Sequence, residues 1–290
     1  MLRLLKPGFL TLAMACAGSG GVRAPDVAIP ETPPTVQPPA TASRIPAIWK
    51  VSSPLSSAAF RSDVTASITL QGEIPTPDTV ATSTIFSVEV ASNQSNYRIA
   101  GTIEAFPSTT GNHITREENT PGPLSFSGLM SPSGFKLDSA GNQSLETLTI
   151  CQHSALSRLP AVRNALISFP AELRVGSSWS DSSTITACSG TIPVKLTLVR
   201  EFAVAGPGGQ PLTVLISHQD RISVTGNGIQ GQHRVAIEAV GRGRGQLIMN
   251  PSNGLLESAE NTSTSELRIS TSGQVHRFTQ STREIISRLR

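Results

Sequence analysis

Ile192-Pro193-Val194-Lys195-Leu196-Thr197-Leu198 decides the fold. Its apolar residues occupy every second position, with Pro193, Lys195 and Thr197 between them. Successive side chains of a strand point to opposite faces of a sheet, so this segment buries one face and wets the other. That pattern suits an antiparallel sheet. It recurs where Val64, Ala66, Ile68 and Leu70 alternate with Thr65, Ser67 and Thr69, and again at Val235, Ile237 and Ala239.

Turn chemistry separates the strands. Ser131-Pro132-Ser133-Gly134, Gly206-Pro207-Gly208-Gly209, Gly226-Asn227-Gly228, Asn250-Pro251-Ser252-Asn253-Gly254 and Ser272-Gly273 carry the residues that tight turns require. The C-terminal part therefore reads as a meander with strands at 212–224, 230–240, 244–249, 255–269 and 274–286. Composition agrees: aromatic residues make up 4% and charged residues 15%, and serine and threonine are abundant, as on polar, uncharged outer sheet faces. The formal net charge of +3 is small and its basic residues are scattered, which excludes the concentrated basic footprint of a nucleic-acid binder.

The chain also repeats itself. LMSPSGFKLDSAGNQSLETLTI (129–150) aligns without a gap on IMNPSNGLLESAENTSTSELRI (248–269), with ten identities in 22 positions and Asp138 opposite Glu257. Upstream the match is looser: Trp49 aligns with Trp179, and Val64–Ile68 with Val194–Leu198. The offset shrinks between the two matches, which implies an insertion in the first copy near Ser108–Pro123. Two copies are too few for a solenoid. The expected fold is mainly β: two duplicated antiparallel units, 47–150 and 176–290, form a sandwich or an open half-barrel.

One helix is expected between them, at Ser154–Ile167 within a connector spanning 151–175. Leu156, Leu159, Val162, Leu166 and Ile167 lie near one helical face. Pro160 must sit in its first turn or kink it, and Pro170 ends the segment.

The sequence holds no motif that specifies a reaction, a cofactor or a metal. His113, His153, His218, His233 and His276 lack the spacing of a zinc site, and no serine stands in a nucleophile elbow. His218 and Asp220 share a strand face, and the reading given to them is an ordinary surface or hairpin position rather than a catalytic pair. Convergence of His218, His233 and His276 on a metal is the weaker alternative. Glu117 and Glu118 fall in the insertion, and Glu257 and Glu260 point to opposite strand faces. In Gly241-Arg242-Gly243-Arg244-Gly245 a strand pattern follows, not the helix that a phosphate cradle opens. The glycines then mark bulges or close backbone contacts, and Arg242 and Arg244, on one face, are candidates for contact with an anion or a partner.

The N-terminus supplies an address. Arg3 and Lys6 precede a short apolar run, Phe9 to Ala15, which ends in Leu12-Ala13-Met14-Ala15-Cys16. That order resembles a bacterial lipoprotein signal peptide, with residues 1–15 removed. The resemblance implies that Cys16 receives lipid and anchors the chain to a membrane. Ala17 in place of aspartate implies the outer membrane where the cell has one. Ala13-Met14-Ala15 also fits ordinary secretion. Residues 16–46, rich in Pro, Gly, Ala and Thr, read as an extended, disordered leash. Val175-Gly176-Ser177-Ser178-Trp179 resembles a segment of uncharacterised secreted β-lipoproteins, a likeness that carries no activity. With Cys16 lipidated, Cys151 and Cys188 are an even pair in an oxidising compartment, and a bridge between them is expected.

Together these readings imply an envelope protein that acts without catalysis and binds a protein partner or a hydrophobic ligand. A structural or surface-display protein without a ligand is the alternative, and an envelope hydrolase is disfavoured.

Overall fold

The structure, a computed structural model, describes residues 48–290 apart from 53, 55–56, 73–77, 94–95, 106–107, 111–112, 116–121, 132–133 and 211. Cys16, the leash and the loop with Glu117 and Glu118 lie outside the described residues.

The strands in chain order are β1 (Trp49–Lys50), β2 (Ser57–Leu70), β3 (Asp78–Asn93), β4 (Asn96–Ala105), β5 (Ser108–Thr110), β6 (His113–Thr115), β7 (Leu124–Ser131), β8 (Gly134–Ala140) and β9 (Gln143–Ser144). A 3-10 turn at Ser154–Arg158 leads into α1 (Leu159–Ala165). There follow β10 (Glu172–Leu173), β11 (Ser178–Ser189), β12 (Ile192–Pro207), β13 (Val214–Gln230), β14 (His233–Asn250), β15 (Leu255–Thr271) and β16 (Gln274–Leu289). Among the described residues, β1 and β10 form a small ribbon. The other strands form one antiparallel sheet in the order β11-β12-β13-β14-β15-β16-β2-β3-β4-β7-β8-β9, with β5 and β6 attached to β3.

The expected two segments are thus one sheet, joined where β16 pairs with β2 from Phe278↔Leu70 to Leu289↔Ala59. The sheet is curled into an open half-barrel. Its inner face follows the alternation of the sequence: Ile192, Val194, Leu196 and Leu198 of β12 are all buried. Helix and turn lie in the trough, the turn touching β4 and β11, which are far apart in the sheet order. Packing both on one short insert bends the sheet round it and brings β8 close to β11, where a side chain at Gly134 would overlap the Asp181 carboxylate.

The expected helix Ser154–Ile167 is shorter in the structure: Ser154–Arg158 form a 3-10 turn, α1 spans Leu159–Ala165, and Leu166 is already extended. His153 caps the 3-10 turn by accepting from the Ala155 amide. Pro160 sits in the first turn of α1, where its missing N–H leaves no hydrogen bond unmade. Leu156, Leu159, Val162, Leu166 and Ile167 are all buried. Cys151 is bonded to Cys188 of β11, with Cα atoms 6.0 Å apart, so the connector is stapled to the sheet edge it packs against.

The aligned repeats carry one shared device. In β7–β8, Ser127 faces Ser139 and Gly128 faces Leu137, so Asp138 is an extra residue. In β14–β15, Ile248 faces Ser258 and Met249 faces Leu256, so Glu257 is extra. The β-bulge therefore falls on the aligned acidic residue in both hairpins. Beyond it the two part: β8 ends at Ala140, where Gly141 adopts φ 58°, whereas β15 runs on to Thr271. Two strands, β3 and β4, separate β2 from β7, while β13 alone separates β12 from β14.

Two turn expectations need correction. Gly226-Asn227-Gly228 is not a turn: β13 continues through it to Gln230, and the chain reverses at Gly231, φ 60°. A Cβ at Gly226 would lie 2.7 Å from the Pro193 carbonyl oxygen, so this glycine admits a neighbouring strand. Likewise 230–240 and 244–249 are not separate strands; β14 runs unbroken through Gly241–Gly245.

The staple is testable. It closes a loop with a sequence separation of 37. Replacing Cys151 and Cys188 by serine should lower the unfolding free energy by about 2–4 kcal/mol, read from the urea midpoint. An unchanged midpoint, or free thiols on non-reducing peptide mapping, would remove it from the account.

Candidate functional site

The middle of the trough is polar. The inward row of β13 runs Ile216, His218, Asp220, Ile222, and all four are buried. The surface or hairpin position expected for His218 and Asp220 is therefore wrong: β13 lies inside the sheet, and its inner face looks onto the helix-filled trough. Arg200 of β12 occupies the same inner face two positions after Leu198. Asn261 of β15 and Glu284 of β16 complete the row, with α1 contributing Asn164.

These six side chains form a closed hydrogen-bonded ring. Arg200 donates to both Asp220 oxygens, at 2.9 and 3.1 Å. His218 Nδ1 lies 2.8 Å from Asp220 Oδ1, and its Nε2 lies 2.9 Å from Asn261 Oδ1. Asn261 Nδ2 donates to Glu284 Oε2 at 2.8 Å, and Asn164 Nδ2 donates to the same oxygen at 2.8 Å. Arg200 closes the ring by donating to Asn164 Oδ1 at 3.1 Å. Ser62 of β2 donates to the other Glu284 oxygen. A second buried pair stands beside the ring, where Arg163 of α1 donates to Asp181 at 2.7 Å and to Ser183. Helix α1 is thus held to β11, β12 and β16 by polar bonds as well as apolar contacts.

The glycines of β14 make the ring possible. His218 and Asn261 stand on β13 and β15, two strands apart, or about 9.6 Å between backbones. They meet over Gly245, where a Cβ would lie 2.5 Å from His218 Nε2 and 2.9 Å from Asn261 Oδ1. At Gly243 a Cβ would lie 3.2 Å from Asp220 Cβ and 2.9 Å from Ser263 Cβ. Gly241, Gly243 and Gly245 therefore point into the trough, and Arg242 and Arg244 point out into solvent on one face. Among the described residues neither arginine is ion-paired.

Burial dominates the electrostatics. It pulls His218 below its ordinary 6.5, with the charge of Arg200 acting the same way and Asp220 opposing. It pushes Glu284 above its ordinary 4.5 against the hydrogen bonds from Asn261, Ser62 and Asn164. At Asp220 burial acts upward, but Arg200 and His218 together outweigh it and hold the carboxyl below its usual range. Burial and the nearby Arg200 bring Arg163 down to about 10. With Asn261 oriented as above, Nε2 must donate to its oxygen while Nδ1 donates to Asp220, which requires an imidazolium beside an ionised Glu284. Turning the amide by half a rotation, which leaves its shape unchanged, lets it donate to a neutral His218 and accept from a protonated Glu284. The two arrangements differ by one proton moved across Asn261 and carry the same net charge. Burial of both end groups favours the neutral one.

The ring is poorly placed for chemistry on a substrate. Both His218 nitrogens are engaged, and no serine hydroxyl is bonded to either. The small space beside it, between Pro160, Leu198, Ile222, Asn164, Arg200, Asp220 and Glu284, is about 40 Å³, room for water. Metal binding by the three histidines fails on position: His218 pairs with Gly245 in mid-strand, His233 bonds Ser272 at a hairpin end, and His276 pairs with Ile269. Among the described residues no group of three or more His, Cys, Asp and Glu is arranged to hold a metal ion.

The sequence matches no protein-family model and no curated protein. Crystal structures of the outer membrane protein OpdK from Pseudomonas aeruginosa are similar at 9% and 8% identity, covering 80% of this chain and 98% of theirs, with a TM-score of 0.20. A likeness of that size bears on neither fold nor function.

Two outcomes follow. Gly245→Ala should cost about 1–3 kcal/mol by forcing His218 from Asn261, and an unchanged denaturation midpoint would refute the close approach. The pH dependence has two opposed parts. His218, depressed, contributes stability that is present above pH 6.5 and lost as pH falls through its folded value. Glu284, raised, contributes stability that is full below pH 4.5 and lost as pH rises through its folded value. In Glu284→Gln the second part vanishes, so stability should fall more steeply than in the parent on acidification from neutral pH. Parallel profiles would show that Glu284 ionises normally.

Proposed function

We propose that this chain is a lipid-anchored envelope protein that acts by binding rather than by catalysis, with its binding surface on the outside of the half-barrel. The observation that carries this reading is the occupied interior. The trough is filled by the protein's own helix, and its polar side chains are bonded to one another in a ring. A hydrophobic ligand needs an apolar cavity of several hundred Å³, whereas the space beside the helix, lined by Leu196, Leu198 and Ile222 as well as Arg200, Asp220 and Glu284, is only about 40 Å³. A protein or polar partner on the outer face is therefore preferred to a hydrophobic ligand within.

The outer face is made for water. Arg221 pairs with Glu201, Arg283 with Glu260 and Arg268 with Glu238, all solvent-exposed across β12–β16. Arginines at mid-height of a lipid-facing barrel wall would cost about 2–4 kcal/mol each. Among the described residues no helix is long and apolar enough to cross a membrane. Attachment then rests on Leu12-Ala13-Met14-Ala15-Cys16, with 16–46 as the tether, and the outer membrane is the destination where the cell has one. Cys16→Ser should move the protein from the membrane fraction to the soluble fraction and abolish the lipid mass on its N-terminal peptide. Retention in the membrane fraction would overturn the anchor.

A further inference from the structure

A groove crosses the outer face of β12–β15 directly behind the ring. It encloses about 650 Å³, and its floor is the backbone of Phe202, His218 and Gly245. One wall is the outward row Glu201, Gln219, Arg244, Thr262; the other includes Ser217, Gln246 and Glu260. Glu201 and Glu260 are neutralised by Arg221 and Arg283. Arg244 is left as the uncompensated charge inside the groove, with Arg242 beside it on the same face. The remaining lining side chains are amides, hydroxyls and the small Ala203.

We propose that this groove binds a linear acidic glycan, a chain of sugars carrying carboxylate groups. The proposal rests on the reading that binding occurs on the outer face, and names what binds there. A guanidinium offers a planar fork that matches a carboxylate bidentately. The two glutamines provide donors and acceptors for sugar hydroxyls, and Ser217 and Thr262, whose own protons go to the Ala203 and Arg244 carbonyls, provide acceptors. The groove runs across the strands, so a polymer lying in it meets a new set of side chains at each strand. An acidic peptide fits less well. Its backbone finds no partner on a floor whose amides and carbonyls are already paired between strands. Its apolar side chains find no apolar pocket in the walls.

Trigalacturonate, titrated calorimetrically into the full chain, is the probe, with its neutral galactose counterpart and a triglutamate peptide as comparison arms. Trigalacturonate should bind, weaken with added salt, and lose about tenfold in affinity in Arg244→Gln. Arg268→Gln, on the outer face but away from the groove, should bind as the parent does. Absence of trigalacturonate binding, equal binding by Arg244→Gln, or equal affinity for the neutral sugar or the peptide would overturn the proposal. The reading beneath it fails differently: hydrolysis of the bound sugar would refute a non-catalytic protein while leaving the groove as the glycan site.

Discussion

The hydrogen bond between His218 and Asn261, made across Gly245, is the constraint on which the rest of the interior depends. It joins strands that are not neighbours, and it links the Arg200–Asp220 pair on one side to Glu284 and Asn164 on the other. Without it His218 Nε2 and Asn261 Oδ1 would be buried without a partner, and the two halves of the ring would be joined only through Arg200 and Asn164. A buried charge pair is weak evidence for stability, because desolvation offsets much of the attraction. What the ring does supply is position: α1 is tied by Asn164 and Arg163 to strands on different sides of the trough, which sets where the helix lies and how far the sheet curls.

That arrangement separates the two faces of the sheet by role. The inner face pairs most of its polar groups with one another, Arg163 Nη1 and Asp181 Oδ1 being buried without a partner among the described residues, and packs apolar groups against the helix. The outer face keeps its charges in water, partly paired, and leaves Arg242 and Arg244 free of ion pairs among the described residues. Function argued from this fold therefore points outward. The glycines of β14 serve both faces: their missing side chains give the ring its space within, and the alternation that turns them inward turns Arg242 and Arg244 outward.

Much of this was legible in the sequence, and the part that was not has a physical reason. Alternation at Ile192–Leu198 and Val64–Leu70 identified the antiparallel sheet and its buried face. The helix was legible in its buried face, Leu156, Leu159 and Val162, but not in its length: Pro160 left a first turn or a kink open, and α1 starts at Leu159, which puts Pro160 in the first turn. The oxidising compartment implied by the resemblance at Cys16 pointed to the pairing of Cys151 with Cys188. The ring was missed because a polar inward residue looks like an outward one when polarity alone is read. Parity would have found it. Period two carries Leu196 and Leu198 on to Arg200. Ile216 and Ile222 bracket His218 and Asp220, Ala259 and Leu267 bracket Asn261, and Ala239 and Leu247 bracket the three glycines. Gly226-Asn227-Gly228 misled for a related reason: glycine serves close strand approach as well as turns, and sequence does not distinguish them.

The ring itself can be observed directly by nitrogen NMR of the His218 imidazole in the folded protein. The account predicts a neutral ring protonated at Nδ1 at neutral pH, its proton slow to exchange, and a titration displaced below the ordinary 6.5. A ring that titrates near its ordinary 6.5, with both nitrogens averaging in fast exchange with water, would contradict a closed, buried ring and with it the account of the filled trough.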